Sequence, residues 1–220
     1  MQKKKYTIIA IIAFACLSMG IVDAFLMPGY VIKSIAKITL FLTLAIGYFI
    51  ANKDLQLLKS ILTPSKKGFL ISLCAGLILL TLLLGSFFAC RNLLNLQQFA
   101  STIRESAGVN KDNFLSVTIY ICLINSFLEE FFFRGFAFLT LKKVSNRKTA
   151  YIVSAMFFSL YHAAMMVGNS IVLVVLSLLG LFVGGLIFNF INEKYDNIYM
   201  SWIVHLCANI ALNMIGYILM

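Results

Sequence analysis

Seven long apolar stretches run along this chain, each separated from the next by a polar or charged segment. They can be drawn over residues 6–27, 31–51, 68–90, 115–141, 149–167, 171–191 and 198–219. Each approaches the ~20 apolar residues a helix needs to cross a hydrocarbon core of about 30 Å. The pattern predicts an all-α fold, a polytopic transmembrane helix bundle of about seven spans. Pro28 and Pro64, the two prolines, fall between apolar segments and read as turn residues. Residues 95–106 carry Leu96, Phe99 and Ile103 at helical spacing. That is the pattern of an amphipathic connecting helix, or of one lying on the outer surface beside a lateral entry.

Composition agrees. The chain is 61% hydrophobic, against about 45–50% in a soluble domain. Its 220 residues suit one compact domain over 1–220. The net charge of +10 could suggest nucleic acid, but its distribution excludes that partner. The lysines and arginines concentrate at the N-terminus and in 52–67 and 142–148, three segments that alternation places on one side. Such a bias marks loops facing an anionic cytoplasmic leaflet. The N-terminus is therefore expected in the cytoplasm, the C-terminus outside, and the protein in the cell membrane as a multi-pass chain. The first span is long for a signal peptide and lacks a clear cleavage site, so it reads as retained. Segment 91–114 has mixed charge, and 192–197 is nearly neutral. The five cysteines are scattered over four spans without CxxC spacing and read as small apolar core residues.

Against this background the polar residues inside spans stand out. Glu129 and Glu130 sit side by side in an apolar stretch, where one carboxylate at the helix centre costs roughly 2.5–3.5 kcal/mol on insertion scales. Both histidines, His162 and His205, also lie within spans. Residues four apart share a helix face, which pairs Asn125 with Glu129, Glu130 with Arg134, and His205 with Asn209. Glu129 and Glu130 point about 100° apart. One can face a cavity while the other takes Arg134 in a structural ion pair. Counting ~1.5 Å per residue, Glu129 lies ~20 Å in from Lys142 and His162 ~20 Å in from Thr149. His205 and Asn209 lie ~12–18 Å in from Asn197. Helices of alternating direction thus bring these groups to one layer.

Two chemistries suit that layer. In one, Glu129 is a general base for a water held by His162, and His205 with the Asn209 amide stabilises the oxyanion. In the other, Glu129, His162 and His205 bind zinc, which activates the water. No HExxH pair signals the second, and Cys207 points about 200° away from His205 as a co-ligand. No cofactor is therefore favoured, with zinc as the alternative. Buried Glu and His also build proton relays in transporters, but no inverted repeat or paired broken helices support one here.

The motifs Glu129-Glu-Phe-Phe-Phe-Arg134, Phe158-Ser-Leu-Tyr-His162 and His205-Leu-Cys-Ala-Asn209, in that order, resemble the CPBP family. That family comprises the type II CAAX prenyl endopeptidases and bacterial relatives often called Abi proteins. The resemblance covers residues 115–220 as a catalytic core and leaves 1–114 as divergent N-terminal spans. It implies an intramembrane peptidase whose site opens toward the cytoplasmic side. Glu129, His162, His205 and Asn209 would be catalytic, with Glu130 and Arg134 supporting. It implies a membrane protein or peptide as substrate. The small chain is similar to bacterial members that process peptides or give bacteriocin self-immunity, which leaves a non-enzymatic immunity or scaffold role as the alternative. Gly180-xxx-Gly184 with Gly185 is expected to serve packing within the molecule rather than dimerisation; the oligomeric state stays open. Trp202 is expected as an interfacial anchor, the Phe131–Phe133 run as lipid or core contact, and Tyr161 as a packing or substrate-orienting group.

Overall fold

The computed structural model describes residues 2–26, 29–64, 66, 68–92 and 96–220, apart from the Ser106 side chain. Met27, Pro28, Lys67 and Asn95, which enter the span, turn and loop expectations, lie outside the described residues. The described residues contain helices and no strands. Seven segments are long and apolar enough to cross a membrane, which bears out the all-α polytopic bundle.

Helix α1 covers Gln2–Ile21 and continues as a π turn, Val22–Leu26. Helix α2 is Tyr30–Ala51, and the short α3, Leu55–Ile61, follows it. Helix α4 is Phe69–Cys90 and α5 is Leu96–Ala107. The fourth crossing, α6, spans Phe114–Val144. Helix α7, Arg147–Tyr161, ends in a 3₁₀ turn, Ala163–Met166. Helices α8 and α9 are Ile171–Tyr195 and Tyr199–Ile218.

Local chemistry sets several of these ends. Asn146 caps α7, its Oδ1 accepting from the Thr149 amide at 2.7 Å, which satisfies one of the donors a helix start leaves over. Gly68 holds φ +84° before α4, and a Cβ there would sit 2.4 Å from the Tyr195 ring. A left-handed backbone pressed under an aromatic ring admits only glycine. Helix α5 behaves as the connecting helix. Its Arg104 donates to the carbonyls of Gly216 and Leu219, both at 3.1 Å, and Gln97 donates to Leu219 at 2.7 Å. A cation on the last turn of α9 satisfies orphan carbonyls and opposes the negative end of the helix dipole.

Helix α6 is the axis of the bundle. Every residue of Glu130–Thr140 is buried, and this stretch has π backbone, with i→i+5 bonding, as does Ile121–Asn125. The Phe131–Phe133 run is core. Phe132 stacks on Phe41 of α2 at 4.2 Å between centroids, and Phe133 meets Phe158 edge-on at 5.4 Å. Lipid tails are as apolar as these rings, so close packing rather than water exclusion holds the helices together. The tightest crossings are made by small residues. Gly76 of α4 faces Cys207 of α9, and Gly185 of α8 lies against Ala155 of α7, where an added Cβ would meet Ala155 at 3.0 Å.

Three expectations change at this level. Of the Gly180–Gly185 group only Gly185 packs within the molecule; Gly180 and Gly184 face open space. Trp202 is not a free interfacial anchor, because its indole N–H donates to Ser126 Oγ at 3.0 Å and its ring meets Phe127. Among the cysteines, Cys16, Cys122 and Cys207 are buried, Cys74 is exposed and Cys90 half-buried.

Candidate functional site

Four helices converge at mid-height. Glu129 lies on α6 just before the π stretch begins, with 2% of its side chain exposed. His162 is the C-cap of α7, where the turn to 3₁₀ backbone swings the chain over the site. His205 is six residues into α9, and Lys37 reaches across from α2.

The two oxygens of Glu129 have different partners. Oε1 accepts from Asn125 Nδ2 at 3.0 Å and from Lys37 Nζ at 3.2 Å. Lys37 also donates to Asn125 Oδ1 at 2.8 Å and lies 4.9 Å from the centre of the Tyr161 ring. Oε2 faces the histidines, 3.9 Å from His162 Nε2 and 3.7 Å from His205 Nε2. Both distances exceed a hydrogen bond and suit one water touching all three groups.

Each ring is oriented from behind. His162 Nδ1 lies 2.8 Å from the Phe158 carbonyl. A carbonyl only accepts, so Nδ1 carries the hydrogen and Nε2 presents a lone pair to the site. His205 Nδ1 lies 2.9 Å from Glu130 Oε1, and the same reasoning turns its Nε2 toward Glu129. Glu130 further accepts from Ser201 Oγ, which is also bonded to Asn192. Arg134 stands 3.1 Å from Glu130 Oε1, both side chains fully buried. Its guanidinium makes no directed hydrogen bond among the described residues. It is instead held between the faces of Phe158, 3.9 Å away, and Phe188, 4.9 Å away, as a cation on aromatic quadrupoles.

The structure thus brings Glu129, Glu130, Arg134, His162 and His205 together. Asn209 stands one turn beyond His205, and its amide donates to the Ile121 carbonyl at 3.3 Å rather than to the cluster. Lys37, Ser201 and Asn192 were missed by sequence reasoning. For Lys37 a signal exists: Lys33 and Lys37 lie four apart inside an apolar span, an anomaly of the same kind as the two glutamates. Ser201 and Asn192 carry no comparable signal.

Glu129, His162 and His205 are the residues that could hold zinc. Ligands at about 2.0–2.2 Å from a tetrahedral zinc lie roughly 3.3–3.6 Å from one another. The separations from Glu129 Oε2 to the two rings, 3.9 and 3.7 Å, are wider, and the Lys37 ammonium holds the other oxygen of Glu129 at 3.2 Å. Among the described residues no group of three His, Cys, Asp or Glu has metal-holding geometry. As placed, the set does not fit the ion.

Comparison with known proteins agrees with the motifs. Residues 111–211 match the family described as Type II CAAX prenyl endopeptidase Rce1-like. No curated protein and no solved structure matches the chain. The matched segment runs from just before α6 into α9 and contains Glu129, Glu130, Arg134, His162, His205 and Asn209. Over residues 111–211 the chain is therefore similar to the Rce1-like endopeptidases, and the match supports a CPBP family intramembrane peptidase.

Proposed function

We propose that the chain is an endopeptidase that hydrolyses a peptide bond of a membrane protein or peptide, using a glutamate-activated water. The observation that carries this reading is the approach of Glu129 Oε2 to Nε2 of both histidines, at 3.9 and 3.7 Å. Lys37 and Asn125 occupy Oε1, so Oε2 is the oxygen left for chemistry.

A water bound there gives one proton to Glu129 and points its other hydrogen at His162 Nε2. Its oxygen bonds to the scissile carbonyl carbon, and the carbonyl π pair moves onto oxygen. His205 in its protonated form, with Glu130 balancing the charge behind it, donates to that oxyanion from Nε2. Asn209 adds a second donor by exchanging its long bond to Ile121 for the substrate oxygen. Collapse breaks the C–N bond, and the amine leaves with the proton that Glu129 took. Glu130, Ser201 and Arg134 hold His205 and touch no substrate. No step passes through a metal.

The test is hydrolysis by purified protein in lipid bilayers, with substrates chosen from the membrane peptides that differ between wild-type and Glu129→Ala cells. Glu129→Gln should lower the rate by ~10²–10⁴, and His162→Ala should do likewise. Unchanged cleavage in both variants would remove the reading. Activity that disappears on chelation and returns with zinc would replace the glutamate mechanism with the metal one.

A further inference from the structure

We infer that the groove between the first turns of α4 and α9 is a binding site for an anionic phospholipid, with the phosphate at Lys66 and an acyl chain along the apolar walls. The inference is independent of the hydrolase reading and of which side of the membrane this end faces.

Two helix starts build the groove. Helix α4 begins at Phe69 and α9 at Tyr199. Gly76 faces Cys207 about two turns in from both starts, so the helices run parallel and begin at one end of the bundle. The Tyr199 hydroxyl donates to the Leu62 carbonyl at 3.1 Å, which ties the segment before α4 to the start of α9. A groove of about 680 Å³ remains between them, walled by Phe69, Leu70, Met200, Trp202 and Ile203. Lys66, ahead of α4, stands at its polar end. The Trp202 wall is fixed in place, because its indole N–H is held by Ser126 and its ring by Phe127.

Apolar walls with a cation at one end match an amphiphile, and the charge selects an anionic one. Lys66 is exposed, and its ammonium has no ion pair or hydrogen bond among the described residues. No carboxylate lines the groove among those residues. Residues 55–104 and 199–220 contain no Asp or Glu, while Lys59 adds a second ammonium to the segment before α4. Gly68 has no side chain to cap α4, so the positive end of that helix adds to the field. A phosphodiester supplies the missing negative charge as a charge-assisted partner for the ammonium. A second copy of the chain is the poorer occupant. Inserted in the same direction, it brings its own lysines to the same level and sets like charge against like.

The groove also adjoins the supports of the site. Ser126, which holds Trp202, lies three residues before Glu129 on α6, and Trp202 lies three before His205 on α9. An acyl chain there braces α4 against the first turn of the helix that carries His205.

Trp202 is the single tryptophan of the chain, so its fluorescence reports the groove. The purified full chain in mild detergent is titrated with phosphatidylglycerol carrying brominated acyl chains, and separately with phosphatidylcholine carrying the same chains, since bromine quenches indole on contact. Phosphatidylglycerol should reach half-quenching at about a fivefold lower mole fraction, the preference of one lysine near an anionic surface. Lys66→Gln should abolish that preference without changing the melting temperature. Lys148→Gln, at an exposed lysine outside the groove, should keep it. Glycerol phosphate, a headgroup without chains, should not relieve the quenching. Equal quenching by both lipids in the wild type would mean ordinary lipid contact and overturn the proposal. So would quenching by neither, as when a second copy covers the groove, relief by glycerol phosphate, or a preference that survives Lys66→Gln.

Discussion

Arg134 illustrates how a charge is kept in a membrane bundle. It is fully buried with Glu130, four residues earlier on the same helix, and two aromatic faces replace the water it has lost. Breaking such a pair leaves an uncompensated buried charge, at a cost of about 3–5 kcal/mol. Arg134→Met should therefore lower thermal stability in detergent markedly, and the Arg134→Met, Glu130→Gln double variant should recover part of the loss. Arg134→Lys should not substitute for arginine, because an ammonium cannot lie flat between Phe158 and Phe188. Lys37 makes a different case. It holds the far oxygen of Glu129, so it acts through the glutamate as a positioning residue. Lys37→Met should lower kcat with little change in KM, and Lys37→Arg should restore part of it. A change in KM alone would make Lys37 a substrate contact instead.

At the scale of elements, the π backbone of α6 is the feature that hydropathy could not disclose. The run 115–141 is equally apolar read as α or π helix, and only neighbours packed on all sides settle the choice. Wider π turns occur at functional sites in other helices as well. Small residues then decide how closely the other helices approach. At Gly185 an added Cβ meets backbone of Ala155 at 3.0 Å, whereas Gly180 meets nothing within 4 Å. Gly185→Leu should thus destabilise by about 1–3 kcal/mol through overpacking, read as a lower melting temperature, while Gly180→Leu should leave melting unchanged. An equal effect at both positions would mean that the α8 face carrying Gly180 is also covered, by a second copy.

At the scale of the molecule, the N-terminal spans are inseparable from the core. One buried cluster joins Ile8 and Ile12 of α1, Phe41 and Phe49 of α2 and Ile61 of α3 to the phenylalanines of α6. Residues 111–211 hold the matched motifs, but they lack Lys37 and the Phe41 ring that stacks on Phe132. A fragment of residues 111–220 should insert into membranes and yet be digested by protease far faster than the full chain. Co-expression with residues 1–110 should restore resistance. A fragment as resistant as the whole would show that the core folds alone.

The sequence by itself determined the bundle of spans and the residues that do not belong in lipid, because ~20-residue apolar runs and intramembrane charges each have one economical explanation. It also brought Glu129, His162 and His205 to one depth, since helical rise converts residue number into distance. Tertiary structure decided what rise cannot encode, the rotation of each helix about its axis and the choice of neighbour. That rotation gave Glu130 to His205 and Ser201, turned the Asn209 amide to Ile121, and set Lys37, 92 residues away along the chain, against Glu129. Such pairings depend on the packing of all seven crossings at once, and no local pattern of residues carries them.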